Sequence, residues 1–411
     1  MSTGHLLVIG AGQAGAQLVS SARELGWAGP ITLVGHEPHA PYGRPPLSKA
    51  YLRGEIDAGA LALRSNAFYT QQRIDLVVGE RVAQVDLAGR EAVAESGRRW
   101  TFDRLALATG AEPRRLELEG SELEGVVVLR DVTDAEALTR RLTAVADLVV
   151  IGGGFIGLEV AATAAASGVR ATVVEAGASL MNRVLSPDTA AVVEAAHRAA
   201  GVRILTGARP LRLRGDHAVR AVELDDGTEL PAGLVLVGVG ARPRDDLARG
   251  AGLHCDGGVV VDELSLASDG RTVAVGDCAN LPDPTPGVQP GRRLRLESVD
   301  NATEQAKAAA STLTGNPRPY RSVPWFWSDQ GALKLQIAGL AGPDDDVVVR
   351  EGTRAGQHVV LRYRGERLVA VECVNAPADF LVVRKALTQG TSLPCEVAAE
   401  PGTPLKKYLA G

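Results

Sequence analysis

Apolar residues in this chain gather in short continuous runs set between glycines and small-residue stretches. Leu6-Leu7-Val8-Ile9 and Leu148-Val149-Val150-Ile151 show no polar alternation, the pattern of strands buried on both faces of a parallel sheet. Ile31-Thr32-Leu33-Val34 and Val173-Val174-Glu175 read as the next strand behind each of them. Leu105 to Gly110, Val235 to Gly240 and Thr272 to Asp277 read as further strands, the first two ending in small residues and the third in a carboxylate. Small residues with helical spacing follow Gly15 and Gly157, and Asp300 to Thr314 reads as a helix. Strands alternating with helices predict an α/β chain.

The turns between strand and helix carry the chemistry. Gly10-Ala11-Gly12-Gln13-Ala14-Gly15 follows the first run, and Gly152-Gly153-Gly154-Phe155-Ile156-Gly157 follows the other. In such a turn the first glycine makes the tight bend and the second lets a pyrophosphate approach the backbone. The third lets helix and strand pack closely, and the phosphates lie at the positive helix end. One copy alone serves many ordinary turns; two complete units predict two bound dinucleotides. Glu175 stands where an acidic residue holds an adenosine ribose. Asp277, at the C-terminal end of a strand, suits the hydroxyls of a flavin's ribityl chain.

Composition narrows the class. With 411 residues the chain predicts two to three domains, and 45% hydrophobic residues with 23% charged fit a globular protein. Aromatic residues make up only 4%, so the cores must rest on Ala, Val and Leu. A net charge of −5 argues against general nucleic-acid binding, which draws on a basic surface. Cys255, Cys278, Cys373 and Cys395 are too scattered for a disulfide framework or a metal site. No apolar run is long enough to span a membrane, and the run at Leu6 is too short for a signal peptide. A soluble cytoplasmic protein is expected.

Over nearly its whole length the chain resembles the FAD-dependent, NADH-oxidising ferredoxin reductases of oxygenase systems. The resemblance rests on both glycine motifs, Arg44-Pro45-Pro46-Leu47-Ser48-Lys49, Ala108-Thr109-Gly110, Val275-Gly276-Asp277-Cys278-Ala279, Glu297-Ser298-Val299 and Pro324-Trp325-Phe326-Trp327-Ser328-Asp329-Gln330. It implies two Rossmann-like dinucleotide-binding domains of glutathione-reductase type plus a C-terminal α+β domain. The FAD domain would comprise residues 1–113 and 245–322, the NADH domain 114–244, and the C-terminal domain 323–411, which completes the flavin site.

By the same resemblance Lys49 lies near the reactive edge of the flavin and pairs with Glu159, which helps position the nicotinamide. Gly10, Gly12, Ala14, Gly15, Arg44, Val82, Ala108, Thr109, Gly110, Arg130, Asp277 and Val299 are implied FAD contacts, with Val82 and Val299 acting through their backbones. The helix opening near Val299 would point its positive dipole at the flavin pyrimidine. Trp327 would shield the flavin and line the electron exit. Where the family often carries an acidic residue, this sequence has His36 followed by Glu37, so either can hold the FAD ribose. Gly152, Gly154, Phe155, Ile156, Gly157, Glu175, Arg183 and Gly240 are the implied NADH contacts. No arginine directly follows Glu175 to meet a 2′-phosphate, which favours NADH over NADPH, with Arg183 nearby weighing the other way.

The implied reaction is passage of electrons from NADH through FAD, one at a time, to a [2Fe-2S] ferredoxin that feeds a P450 or a Rieske oxygenase. The Gly-Asp-Cys-Ala and Glu-Ser-Val runs lean toward the P450 type. Arg292, Arg293, Arg295, Arg318, Arg321, Arg384 and Lys385 form a candidate basic rim for that acidic partner. Two alternatives stand beside this reading. An NADH-dependent disulfide or peroxide reductase of the same fold needs a reactive cysteine after the first unit's second strand, and residues 38–60 hold none. A non-catalytic NADH-sensing protein resembling apoptosis-inducing factor would be expected to carry a targeting segment and a basic face, against the negative total charge.

Overall fold

The computed structural model describes residues 4–285, 288–289, 291–351, 354–400 and 405–409. The chain divides into two compact units. One is formed by Met1–Gly43, Gly59–Glu112 and Arg242–Pro324, the other by Arg44–Ala58, Pro113–Ala241 and Trp325–Gly411.

The first unit is built on a five-stranded parallel sheet. Its spatial order is Val273–Ala274, Arg104–Leu107, Leu6–Ile9, Ile31–Val34 and Ile74–Val77. Leu6–Ile9 is buried at every position because neighbours flank it on both sides, in register Leu6↔Ile31 and Leu6↔Arg104. One face is covered by the helices Gln13–Glu24 and Val299–Leu313, which bring Leu18, Val19, Ala306 and Ala310 into a core with Leu6, Val8 and Ile31. The other face packs Leu7, Ile9 and Leu105 with Trp100, a residue of the antiparallel sheet Val82–Asp86, Glu91–Ala94 and Arg99–Thr101. The core is aliphatic, as the scarcity of aromatic residues demands.

The second unit contains a matching parallel sheet, ordered Arg203–Thr206, Arg170–Glu175, Asp147–Ile151, Leu234–Val237 and Val126–Val127. Its helix Phe155–Ala166 has scarcely any polar face, and Leu158 to Ala164 are buried. After Pro324 the pattern changes to antiparallel. Trp325–Gln330, Leu333–Gly339, Arg367–Val374, His358–Arg364 and Asp346–Glu351 form one sheet in that spatial order, with the helix Pro377–Gln389 packed on it through Phe380 and Val383. Within this unit a buried carboxylate joins the two layers. Glu372, fully buried, accepts the Ser186 amide (3.0 Å) and hydroxyl (2.7 Å) at the start of the helix Pro187–Ala199, and pairs with Arg362 at 3.2 Å. The fold class expected from the sequence, two Rossmann-like α/β layers and a C-terminal α+β part, is the one the chain adopts.

The strand expected over Thr272 to Asp277 is only Val273–Ala274, because Gly276 takes a φ of +75° and turns the chain into a short 3-10 helix at Gly276–Cys278. The helix expected from Asp300 begins at Val299, where Ser298 caps it by accepting the Asn301 amide at 3.0 Å.

Candidate functional site

The three glycines of each fingerprint meet different surroundings. Gly10 has a φ of +112°, and a Cβ there would lie 2.1 Å from the Ala108 carbonyl oxygen; a Cβ on Gly15 would lie 1.9 Å from the Gly10 oxygen. Both are required by packing. A Cβ on Gly12 would meet nothing within 4 Å. The second loop is similar: Gly152 and Gly157 are hemmed in by backbone at 2.4 and 2.7 Å, while a Cβ on Gly154 would meet only the Gly238 oxygen, at an ordinary contact distance of 3.9 Å. Gly12 and Gly154 are also the N-caps of their helices, and neither end has a side-chain cap, in contrast to those capped by Asp131, Ser186 and Ser298. Two helix ends that present free N–H groups to an open middle glycine fit a pyrophosphate each.

The two loops differ at the ribose position. The Gly10 amide donates to Val34, and the Gly152 amide donates to Val174, both at 2.8 Å. Gly35 therefore stands where Glu175 stands, and Ala11 where Gly153 stands. The two exchanges compensate, since a Cβ on Gly35 would come within 2.6 Å of the Ala11 Cβ. In the second loop the bare Gly153 backbone donates to Glu175 Oε2 and the Gly177 amide donates to Oε1, each at 2.6 Å. The half-buried Glu175 is thus fixed as a two-oxygen acceptor. In the first loop the polar groups lie further on. Glu37 accepts the Tyr42 hydroxyl at 2.5 Å. Arg244 donates to His36 Nε2 at 3.2 Å, which leaves the hydrogen of a neutral His36 on Nδ1. Arg244 also pairs with Glu112 at 3.3 Å, and its carbonyl accepts the Thr109 hydroxyl at 2.6 Å. Tyr42 and Arg244 carry no local sequence signal, and sequence reasoning missed them.

Elsewhere in the first unit, Ala14 is buried, and a Cβ on Gly276 would lie 3.0 Å from it; the first helical turn and the turn bearing Asp277 meet through small residues. The Gly276 amide donates to Gln305 at 2.8 Å, tying that turn to the helix Val299–Leu313. Gly110 follows Thr109 with a φ of +71°. Val82 opens the antiparallel sheet. Cys278 is fully buried, its thiol is 3.3 Å from the Val275 carbonyl, and burial raises its pKa, so it is no thiolate nucleophile.

In the second unit the Arg-Pro-Pro-Leu-Ser-Lys segment forms a 3-10 turn, Pro45–Ser48, favoured by proline at its start. Arg44 donates to the Arg130 carbonyl at 2.7 Å, which brings two expected residues together. Lys49 meets the buried Glu159 at 2.8 Å. The Ser48 hydroxyl donates to Glu159 Oε2 and the Ser328 hydroxyl to Oε1. Neither serine was singled out for a role; they reach the carboxylate across 111 and 169 residues. Phe155 packs against Phe326 with ring centroids 4.5 Å apart and planes tilted by 49°, Ile156 is exposed, and Arg183 lies beside Gly240. Trp327 and Trp325 are 5.4 Å apart on one face of their strand, and Trp325 packs against Phe380 of the core.

The expected basic rim is partly spent on internal bonds. Arg293 donates to the Val261 and Asn280 carbonyls, Arg292 pairs with Asp283, and Arg295 pairs with Glu297. Arg384 lies over the Trp325 ring at 4.6 Å. Among the described residues no group of acidic, histidine and cysteine side chains is arranged to hold a metal, and no helix is long and apolar enough to cross a membrane.

Residues 4–306 match the pyridine nucleotide-disulphide oxidoreductase family, and residues 325–409 match the reductase C-terminal family. The chain is 42% identical to rhodocoxin reductase of Rhodococcus erythropolis, over 98% of this chain and 94% of that protein. The solved ferredoxin reductase for the CYP199A2 system from Rhodopseudomonas palustris is 40% identical with a TM-score of 0.94, covering 98% of this chain and 99% of that one. The covalent putidaredoxin reductase–putidaredoxin complex gives 37% and 0.94, covering 100% and 99%.

Proposed function

The chain belongs to the pyridine nucleotide-disulphide oxidoreductase family, and on that premise we propose that it is an NADH-dependent, FAD-containing ferredoxin reductase whose partner is a [2Fe-2S] ferredoxin of an oxygenase system. The observation that carries this reading is the uncapped glycine-led helix start in each unit, together with the Lys49–Glu159 pair of the second unit, whose carboxylate is buried. The full-length similarity to putidaredoxin reductase, solved in a covalent complex with putidaredoxin, supports the acceptor. Bound FAD supplies the change from two-electron to one-electron transfer that nicotinamide lacks.

The chain's own residues prepare that chemistry. Gly10, Gly12, Ala14 and Gly15 hold the FAD pyrophosphate, with His36 or Glu37 at its ribose, and Ala108, Thr109, Gly110, Val82, Asp277 and Val299 as further FAD contacts. Arg44, Lys49, Arg130 and Trp327 contribute to the same cofactor. Gly152, Gly154, Phe155, Ile156, Gly157, Arg183 and Gly240 receive NADH, and Glu175 accepts its ribose hydroxyls. Lys49 favours the flavin as it gains charge, and Glu159, paired with it, helps position the nicotinamide. The domains are taken as 1–113 with 245–322 for FAD, 114–244 for NADH and 323–411 as the C-terminal domain. Four free cysteines fit a reducing cytoplasm.

NADH-driven cytochrome c reduction by the purified yellow protein, with and without a [2Fe-2S] ferredoxin, tests this. Strong dependence on the ferredoxin is expected. Bleaching of the flavin by NADH with no gain from several ferredoxins would remove the acceptor from the proposal.

A further inference from the structure

The polar chain behind Glu159 runs deeper than the lysine pair, and every link lies within the second unit. Ser328 and Gln330 are buried, and both point from the strand Trp325–Gln330 to the side where Glu159 lies. Gln330 Nε2 is 2.7 Å from Ser328 Oγ and 3.3 Å from the Phe155 carbonyl oxygen. Gln330 Oε1 is 2.9 Å from His197 Nε2, on the helix Pro187–Ala199. His197 is 2% exposed, and its Nδ1 has no partner.

These contacts fix a direction. A carbonyl can only accept, so the amide edge facing Phe155 must be the NH2. Gln330 Oε1 then faces His197, whose Nε2 must carry the hydrogen. The second amide hydrogen goes to Ser328 Oγ, which leaves the Ser328 hydroxyl to donate to Glu159. Donors therefore run one way, from His197 through Gln330 and Ser328 to the carboxylate. Burial lowers the His197 pKa and keeps the ring neutral, in accord with a bare Nδ1. Lys49, at 2.8 Å, is the cation within ion-pair distance of Glu159 among the described residues.

We propose that Gln330, backed by His197, is a positioning residue for flavin reduction: it sets the direction of the Ser328 hydroxyl and so holds the Glu159 carboxylate in place. This role rests on the function proposed above, in which Glu159 and Lys49 serve the nicotinamide step. Gln330 also bonds the first residue of the helix Phe155–Ala166, so one amide orients the carboxylate, the strand that carries Trp327 and the start of the second fingerprint helix. Gln330→Glu nearly keeps the shape and reverses the polarity. A carboxylate at this position accepts from Ser328 and turns that hydroxyl away from Glu159.

The test has two arms on the full-length flavoprotein. In the first, 15N-histidine spectra with His197→Gln as the assignment control read the ring directly. A hydrogen on Nε2 at neutral pH is expected; a hydrogen on Nδ1 reverses the chain and overturns the proposal, whatever the enzyme's acceptor. In the second, stopped-flow flavin reduction by NADH and NAD+ binding to the oxidised protein are both measured. Gln330→Glu should slow reduction on the order of tenfold to a hundredfold, as expected for loss of a charged hydrogen bond. NAD+ affinity should change much less than the rate. In a Ser328→Ala background the same change should add little, since the path to Glu159 is already cut. Full additivity of the two variants, or an equal loss of NAD+ affinity, sinks the positioning role. Wild-type flavin that NADH fails to reduce would instead sink the functional reading, with the tautomer result standing apart.

Discussion

Two residues with similar spacing in sequence have different fates at the ribose position. Glu175 is tied through both oxygens to the Gly153 and Gly177 amides, and that geometry depends on the absence of a side chain at Gly153. A 2′-phosphate brought against this fixed carboxylate meets like charge. Glu175→Ala should therefore lower the preference for NADH over NADPH by roughly tenfold or more, about the worth of one hydrogen bond to a charge, read from kcat/KM for each nucleotide. An unchanged ratio would show that Glu175 does not read the ribose. The reversed pair Ala11 and Gly35 explains why the first unit has no acid at this position. The sequence motif shows only that His36 interrupts the usual pattern; strand register is needed to see that Gly35 is the true counterpart.

Among the elements, the fingerprint loops separate glycines that the fold needs from those that a ligand needs. Gly15→Ala places a Cβ 1.9 Å from backbone oxygen and should prevent stable folding. Gly12→Ala meets open space in the protein. It should fold with a nearly unchanged apo Tm and retain little FAD, which flavin absorbance after gel filtration measures. Normal FAD content in Gly12→Ala would mean that the pyrophosphate lies elsewhere. The buried strands, the glycine turns and the helix at Val299 were legible in the sequence because each is written in a local pattern. The serines at Glu159 were not, because convergence of Ser48, Glu159 and Ser328 is a property of tertiary packing. The strand at Thr272 was read too long, since apolar continuity hides the left-handed turn at Gly276.

For the molecule as a whole, surface charge and buried histidines set two expectations. With Arg292, Arg293 and Arg295 bonded internally, the exposed Arg318 and Arg321 and the α-helical Arg384 and Lys385 are the remaining candidates for steering a ferredoxin. Reversing Arg384 and Lys385 should slow ferredoxin reduction and flatten its salt dependence, with NADH-to-flavin transfer intact. Equal ferredoxin rates would place the docking surface elsewhere. His197 and His358 both have pKa values lowered from 6.5 by burial. Unfolding lets them bind protons that the native state refuses, so their contribution is full above pH 6.5 and is lost as pH falls toward the depressed native values. Tm should fall on acidification below that point, and His197→Gln should reduce the slope; an identical slope would show that this ring is not a source.

The edge strand Val273–Ala274 closes the first parallel sheet beside Arg104–Leu107, yet it is translated long after that neighbour. During synthesis at roughly 5–20 residues per second, the older strands must wait many seconds with one edge unpaired. An unpaired parallel edge is a template for wrong pairing. Slower translation does not shorten this interval but lengthens it, so yield of soluble protein should depend on chaperone supply during the gap more than on the stability of the finished fold.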